Sequence, residues 1–286
     1  MINAEKLKNE IRKIASEKGL NAGEILHMFM FERFIERLAR SFYRESFILK
    51  GGLLIASMIG IGERTTIDMD TTVKNLAMNE GTLKRVVTEI IDTALDDGVS
   101  FTFERIVPIR EEDEYNNFRI SLEARCDRIR VPMRIDMTTG DAITPGEIDY
   151  QYRSIFGKEK IIIKAYTLET ILAEKYEIIL RRTVLSSRPR DLYDVHTLFR
   201  LKKDQISSAV LKKAIENTAL RRGSSNTIVD YESIVSELKE SEYQKRLWKN
   251  YQNENSYAKN IQFNDAVETV KTIGDLLKKS DRLNLH

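Results

Sequence analysis

The sequence predicts an α+β protein, with a mixed sheet flanked by helices in its N-terminal part and a helical domain after it. Between residues 47 and 164 the apolar residues fall mostly into strand-length runs bounded by Gly, Asn and Asp turn signals. From Thr167 onward the apolar period is helical almost throughout, which places a boundary near residue 166 and divides the chain into 1–166 and 167–286. With 42% hydrophobic and 31% charged residues, the composition suits a folded globular chain and excludes a disordered one.

Residues 2–18 read as an amphipathic helix, and Asn21 with Glu24 makes a capping box for a second helix from Ala22 to about Tyr43. That second helix has a broad apolar face, Ile25, Met28, Phe29, Phe31, Phe34, Ile35 and Leu38, suited to packing against a sheet. Phe47–Leu49 is a short strand, Gly51 and Gly52 break it, and Leu53–Ile59 begins a helix. A second strand runs from Thr66 to Val73, and a helix from Asn79 to Asp96 ends at Asp97-Gly98. Three strands in an antiparallel meander follow, at 100–109, 118–124 and 129–136, the first two joined by the loop EEDEYNN. Pro132 argues for an edge position or a bulge in the third. Residues 138–166 look irregular, with short strands near 150–155 and 161–164. Helices are then expected at 168–182, 189–201, 205–221, 231–251 and 264–279, with 223–226 a plain loop.

Several function classes are excluded or weakened at once. No apolar run is long enough to cross a membrane, and the charged N-terminal helix lacks the apolar block of a signal peptide, which predicts a cytoplasmic protein. The single cysteine, Cys126, excludes an internal disulfide and reads as a buried small hydrophobe. Three scattered histidines make no metal-ligand spacing, and a net charge of +2 is too small to argue nucleic-acid binding without local clusters.

The stretch FILKGGLLIASMIGIGERTTIDMDTTVK, residues 47–74, carries the chemistry. Glycines at a strand-to-helix turn let backbone N–H groups approach a phosphate, and the helix dipole favours the anion. Asp68 and Asp70, two apart on a strand, project from one face about 6–7 Å apart. Their repulsion is relieved most simply by a divalent cation. Asp136, opposite the apolar set Val131, Met133 and Ile135, is the third carboxylate such a pair needs; its other reading is a solvent-facing strand end. The Gly-Gly turn followed by Asp-x-Asp resembles the signature of the DNA polymerase β-like nucleotidyltransferases. In the helical part, Lys175 lies amid the buried side of 168–182, and Asp191 and Asp194 share one face of the helix that begins at Pro189.

The order KGG (50–52), RTTIDMD (64–70), RID (134–136), LETILAEKYEIILRR (168–182) and SRPRDLYDVHTL (187–198) is similar to that of the AbiEii/AbiGii toxin nucleotidyltransferases, which include the MenT toxins. The likeness spans roughly residues 45–200 and implies a nucleotidyltransferase-like N-terminal domain. It further implies a toxin of a bacterial toxin–antitoxin or phage abortive-infection system that transfers a nucleoside monophosphate from an NTP to the 3′ end of tRNA and stops translation. By that likeness Gly51 and Gly52 serve the triphosphate and Asp68 and Asp70 hold metal; with Asp136 as the third carboxylate two Mg²⁺ ions are expected, and Lys50, Arg64 and Asp194 are further nucleotide-binding candidates. Lys175 is assigned to phosphate or the transition state, and Asp191 to a later acidic motif. Arg181, Arg182, Arg188 and Arg190 are the candidate RNA contacts. The partners implied are tRNA, NTP and an antitoxin encoded nearby that need not bind the toxin. The pattern departs at Leu53, where the family commonly has Thr or Ser, and Ser57 is the candidate for the missing hydroxyl. Two rival readings stay open: the same chemistry on a protein hydroxyl or small molecule, and a non-catalytic binding module on the same fold.

Overall fold

The computed structural model describes residues 3–109, 117–156 and 160–283. Two compact units divide the chain. The first comprises residues 1–140 and 148–165, and the second 141–147 and 166–286.

In the first unit the elements run α1 (Ala4–Lys18), α2 (Ala22–Arg40), β1 (Phe47–Lys50), α3 (Gly51–Ile59), β2 (Met69–Val73) and α4 (Glu80–Ile91). The strands β3 (Ser100–Ile109), β4 (Asn117–Cys126), β5 (Ile129–Thr138), β6 (Ile148–Arg153) and β7 (Lys160–Ala165) complete it. They form a seven-stranded mixed sheet in the order β3-β4-β5-β2-β1-β7-β6. The meander β3-β4-β5 is antiparallel, whereas β5 runs parallel to β2, and β1 is antiparallel to β2 but parallel to β7. Most of the EEDEYNN loop lies outside the described residues.

Local sequence explains most element ends. Asn3, Asn21 and Asn79 each accept a backbone N–H at a helix start, which satisfies one of the donors a first turn leaves orphaned. Gly19 closes α1 in the left-handed region at φ 64°. From Met28 to Leu38 every residue of α2 is buried, including charged ones. Burial of those charges is tolerated because each is paired. Glu32 accepts from Ser154 Oγ at 2.8 Å and Ile155 N at 2.6 Å, and the Arg37 guanidinium donates to both Asp97 oxygens at 2.8 and 3.0 Å.

On β4 and β5 burial alternates strictly along much of each strand. Phe118, Ile120, Leu122, Val131, Met133 and Ile135 enter the core, so Arg119, Arg134 and Asp136 share the opposite face. Pro132 is neither at a bulge nor on an edge strand. β2 pairs only with Ile135–Thr138, so Pro132 sits where β5 has β4 alone as neighbour and no second ladder needs its missing N–H.

The second unit is helical: α5 (Leu168–Arg182), α6 (Pro189–Lys202), α7 (Ser208–Arg221), α8 (Ser225–Val229), α9 (Tyr231–Glu240), α10 (Glu242–Glu254) and α11 (Phe263–Leu283). α5 packs on α6 and α7, and α11 on α6 and α9. The Asp141–Glu147 segment joins this unit through Thr144, whose carbonyl accepts from the Thr167 and Thr170 hydroxyls, both at 2.9 Å.

Some sequence expectations are corrected. The expected helix 231–251 is two helices, because Ser241 leaves the helical region and its hydroxyl caps α10 by accepting from Gln244 N at 3.3 Å. Residues 225–229 form a short helix instead of continuing a loop. The helix expected to reach Asp96 stops at Ile91, and the strand expected from Thr66 begins at Met69. There the Thr66 hydroxyl bonds both the N–H and the carbonyl of Asp68, a local turn that competes with a ladder.

Candidate active site

In the first unit, the register of β2 against β5 brings the acidic residues together. Asp70 is the direct partner of Asp136 on two parallel neighbouring strands, about 4.8 Å apart between backbones, with both side chains on one face. Asp68 precedes β2 by one residue, beside Arg134 of β5. Threonines pin this register: Thr71 Oγ1 donates to the Asp136 carbonyl at 3.2 Å, and Thr139 Oγ1 to the Val73 carbonyl at 3.0 Å.

The glycine turn lies against the same carboxylates. Lys50 is the antiparallel partner of Asp70, and Gly51 follows with φ 66°, a conformation that disfavours any residue with a Cβ. A Cβ at Gly51 would sit 2.7 Å from Asp70 Cγ, so the absent side chain makes room for that carboxylate. At Gly52 a Cβ would meet Thr66 Oγ1 at 3.1 Å and an Arg64 guanidinium nitrogen at 3.2 Å. Arg64, itself buried, is steered there by a hydrogen bond to the Thr65 carbonyl. α3 starts at this turn without a side-chain cap, leaving its first N–H groups to another acceptor.

Ser57 is not brought to the carboxylates. It lies in the second turn of α3, where its hydroxyl donates to the Leu54 carbonyl at 3.0 Å and lies 2.8 Å from the Tyr150 hydroxyl. The hydroxyl against Gly52 is that of Thr66, which sequence reasoning passed over; its adjacency to the Asp-x-Asp pair was the available signal.

Two arginines complete the face, and neither was singled out from the sequence. Arg119 of β4 grips Asp136 bidentately, Nε to Oδ1 and Nη2 to Oδ2, both at 2.7 Å. Its guanidinium is held further toward the charged form chiefly by that bond, with added attraction from Asp136, Asp68 and Asp70, so all three carboxylates act on one cation. Arg134 Nε lies 2.9 Å from Asp68 Oδ1 as an ion pair, without an aligned hydrogen bond to that oxygen. The signal for both lay in the strand alternation that put Asp136 on the polar face.

The donor set suits a hard divalent cation such as Mg²⁺, since all three groups are carboxylates. Asp68 Oδ1 is a solvent-shielded acceptor whose neighbouring cation, Arg134, makes no aligned hydrogen bond to it. Among the described residues no group of three His, Cys, Asp or Glu is arranged to hold a metal ion as it stands. Both oxygens of Asp136 accept from Arg119, so a metal ion there would share or compete for that carboxylate with a guanidinium.

The second unit carries its own cluster. Lys175 of α5 donates to Asp191 Oδ1 at 2.6 Å and pairs with Asp194 Oδ2 at 2.9 Å; both carboxylates are on α6. Arg188 adds a second cation, its Nε 2.8 Å from Asp191 Oδ2. Asp191 and Asp194 side chains are 2% and 0% exposed, and two cations against two anions keep the buried group neutral. Asp191 also stands in the first turn of α6 behind Pro189, where the dipole favours a carboxylate. Of the other expected RNA contacts, Arg181 is bound to buried Glu177 at 2.7 Å, Arg182 is half-buried at the end of α5, and Arg190 is exposed.

A family model described as nucleotidyl transferase AbiEii toxin, type IV TA system, matches residues 33–269, well over half of the chain. No curated protein sequence matches. Among solved structures, a Helicobacter pylori protein described as a candidate nucleotidyltransferase is similar at TM-score 0.53 and 15% identity, covering 92% of this chain and 99% of its own. The H. pylori protein JHP933 is similar at TM-score 0.52 and 13% identity, covering 92% and 97%. These two likenesses show a shared fold.

Proposed function

Since the chain belongs to the AbiEii nucleotidyl transferase toxin family of type IV toxin–antitoxin systems, we propose that it transfers a nucleoside monophosphate from an NTP to the 3′ end of tRNA. In this reading the transfer requires Mg²⁺, blocks translation, and serves antiviral defence by abortive infection in the cytoplasm. A type IV toxin implies a cognate antitoxin, and here the antitoxin acts without an obligatory complex. The observation that carries the reading is the register pairing Asp70 with Asp136, with Asp68 on the same face and Gly51 packed against Asp70.

The reaction is attack of an RNA 3′-hydroxyl on the α-phosphorus. A new P–O bond forms, the bond from that phosphorus to the bridging oxygen breaks, pyrophosphate leaves and the hydroxyl proton passes to solvent. Asp68, Asp70 and Asp136 would hold Mg²⁺, which when bound supplies charge neutralisation and a more acidic attacking hydroxyl. The uncapped N–H groups of α3 at Gly51 and Gly52 receive phosphate oxygens, with Arg64 and the Thr66 hydroxyl beside Gly52 and Lys50 opposite Asp70. Lys175, positioned by Asp191 and Asp194, is suited to a phosphate oxygen. Asp191 in this view holds the lysine in place.

The test is incubation of the purified chain with each α-labelled NTP and Mg²⁺, with tRNA in one arm and lysate protein or small-molecule extract in the others. Label at the 3′ end of tRNA, abolished by Asp70→Ala, is the expected result. Label in protein or extract alone would move the acceptor, and no label anywhere, with toxicity unchanged by Asp70→Ala, would point to a binding module.

A further inference from the structure

We infer that Arg119 is a displaceable counter-cation of the carboxylate face: it holds Asp136 until nucleotide arrives, then yields that carboxylate and pairs with the triphosphate. The inference rests on reading Asp68, Asp70 and Asp136 as the metal-holding set. Three observations carry it. Arg119 donates to both oxygens of Asp136 at 2.7 Å, so a cation that approaches Asp136 must compete with that guanidinium for the carboxylate. The pair is part-exposed, with 39% and 20% of the two side chains open, so water and an incoming anion can reach it. A guanidinium fork fits a phosphate as well as it fits a carboxylate, so the group that lets go of Asp136 is suited to the incoming anion. Arg134 against Asp68, 2.9 Å away on the next strand, repeats the arrangement.

The consequence is a site that resists bare divalent cation and opens to cation and nucleotide together. Charge decides the direction. Removing one positive charge about 6 Å from a divalent ion in water strengthens the binding of that ion about tenfold. It also removes one charge-assisted contact to the triphosphate.

Binding of Mn²⁺ to the full chain without nucleotide is measured by calorimetry, followed by binding of α,β-methylene analogues of the four NTPs in saturating Mn²⁺. Arg119→Gln is expected to bind Mn²⁺ about tenfold more tightly than the native chain and the analogue about tenfold more weakly. Arg125→Gln is the control. It lies on β4 six residues away and pairs with Glu123, and it should change neither constant. Arg119→Lys keeps the charge without the fork, so it should hold native Mn²⁺ affinity while losing part of the analogue affinity; it carries the test if the Gln variant does not fold. Unchanged or weakened Mn²⁺ binding in Arg119→Gln, or unchanged analogue binding, overturns the inference. If the native chain binds both ligands and Arg119→Gln behaves identically, the role of Arg119 alone falls. If the native chain binds neither, the transferase reading falls with it.

Discussion

At the scale of single residues, the site depends on side chains that are present and on one that is missing. Replacing Asp70 by Ala removes a carboxylate from a face where three repel one another. Transfer activity should fall at least about a hundredfold, while the thermal midpoint moves by only a few degrees. Gly51→Ala tests the same carboxylate from the other side. A Cβ there would collide with Asp70, and φ 66° strains any L residue. The variant should lose about 1–2 kcal/mol of stability in denaturant titration and as much activity as Asp70→Ala. If it stays fully active, Asp70 does not depend on that gap. The acidic triad was legible in the chain because Asp is disfavoured in strands and because alternation alone put Asp136 opposite Val131, Met133 and Ile135. Arg119 and Arg134 were not legible, since an arginine on the polar face of a strand looks like any solvated charge until its partner across the ladder is known.

At the scale of elements, buried ion pairs tie helices together and make distinct demands. Glu177 of α5, fully buried, accepts from Arg181 at 2.7 Å, Arg222 at 2.7 Å and the Ser224 hydroxyl at 2.7 Å, joining α5 to the turn after α7. Glu177→Ala would leave the buried Ser224 hydroxyl without its carboxylate and Arg222 with Glu174 alone, and chemical denaturation should show a loss of about 1–3 kcal/mol. His196 of α6 lies against Thr269 of α11 at 2.8 Å, and burial, followed by the charge of Arg200, lowers its pKa below the ordinary imidazole value. A depressed histidine favours the fold when neutral. Its contribution is therefore complete above the unfolded pKa of about 6.5 and is lost as pH falls through the folded value. The thermal midpoint of the native chain should fall as the pH drops below about 6.5 by more than that of His196→Gln. Equal pH dependence in the two would refute the assignment. Helix existence was readable from period and caps, whereas the break at Ser241 was not. There the apolar period continues across the junction and only the backbone turn of one serine interrupts it.

At the scale of the whole molecule, a formal charge of +2 supplies no general attraction to nucleic acid, so any hold on RNA must be local. Of the four expected arginine contacts, Arg181 is bound to Glu177 and Arg188 to Asp191, which weakens their hold on phosphate. With four arginines as the upper limit, the KM for tRNA is expected to rise with salt with a log–log slope of at most about 4, while the KM for NTP changes less. A slope nearer 6 in a salt series from 50 to 200 mM would require a larger phosphate footprint than these residues provide. Among the described residues no helix is long and apolar enough to cross a membrane. By itself the sequence determined the α+β class, the turn of helical character near residue 167, and the acidic and glycine positions. These follow from local period, propensity and turn chemistry, which act over a few residues. Tertiary structure alone decided that β2 lies parallel to β5, and hence that Asp70 faces Asp136, that Gly51 shelters Asp70 and that Arg119 closes the face. Those are pairings between residues 17 to 66 positions apart, set by which strand edges meet when the shared core closes.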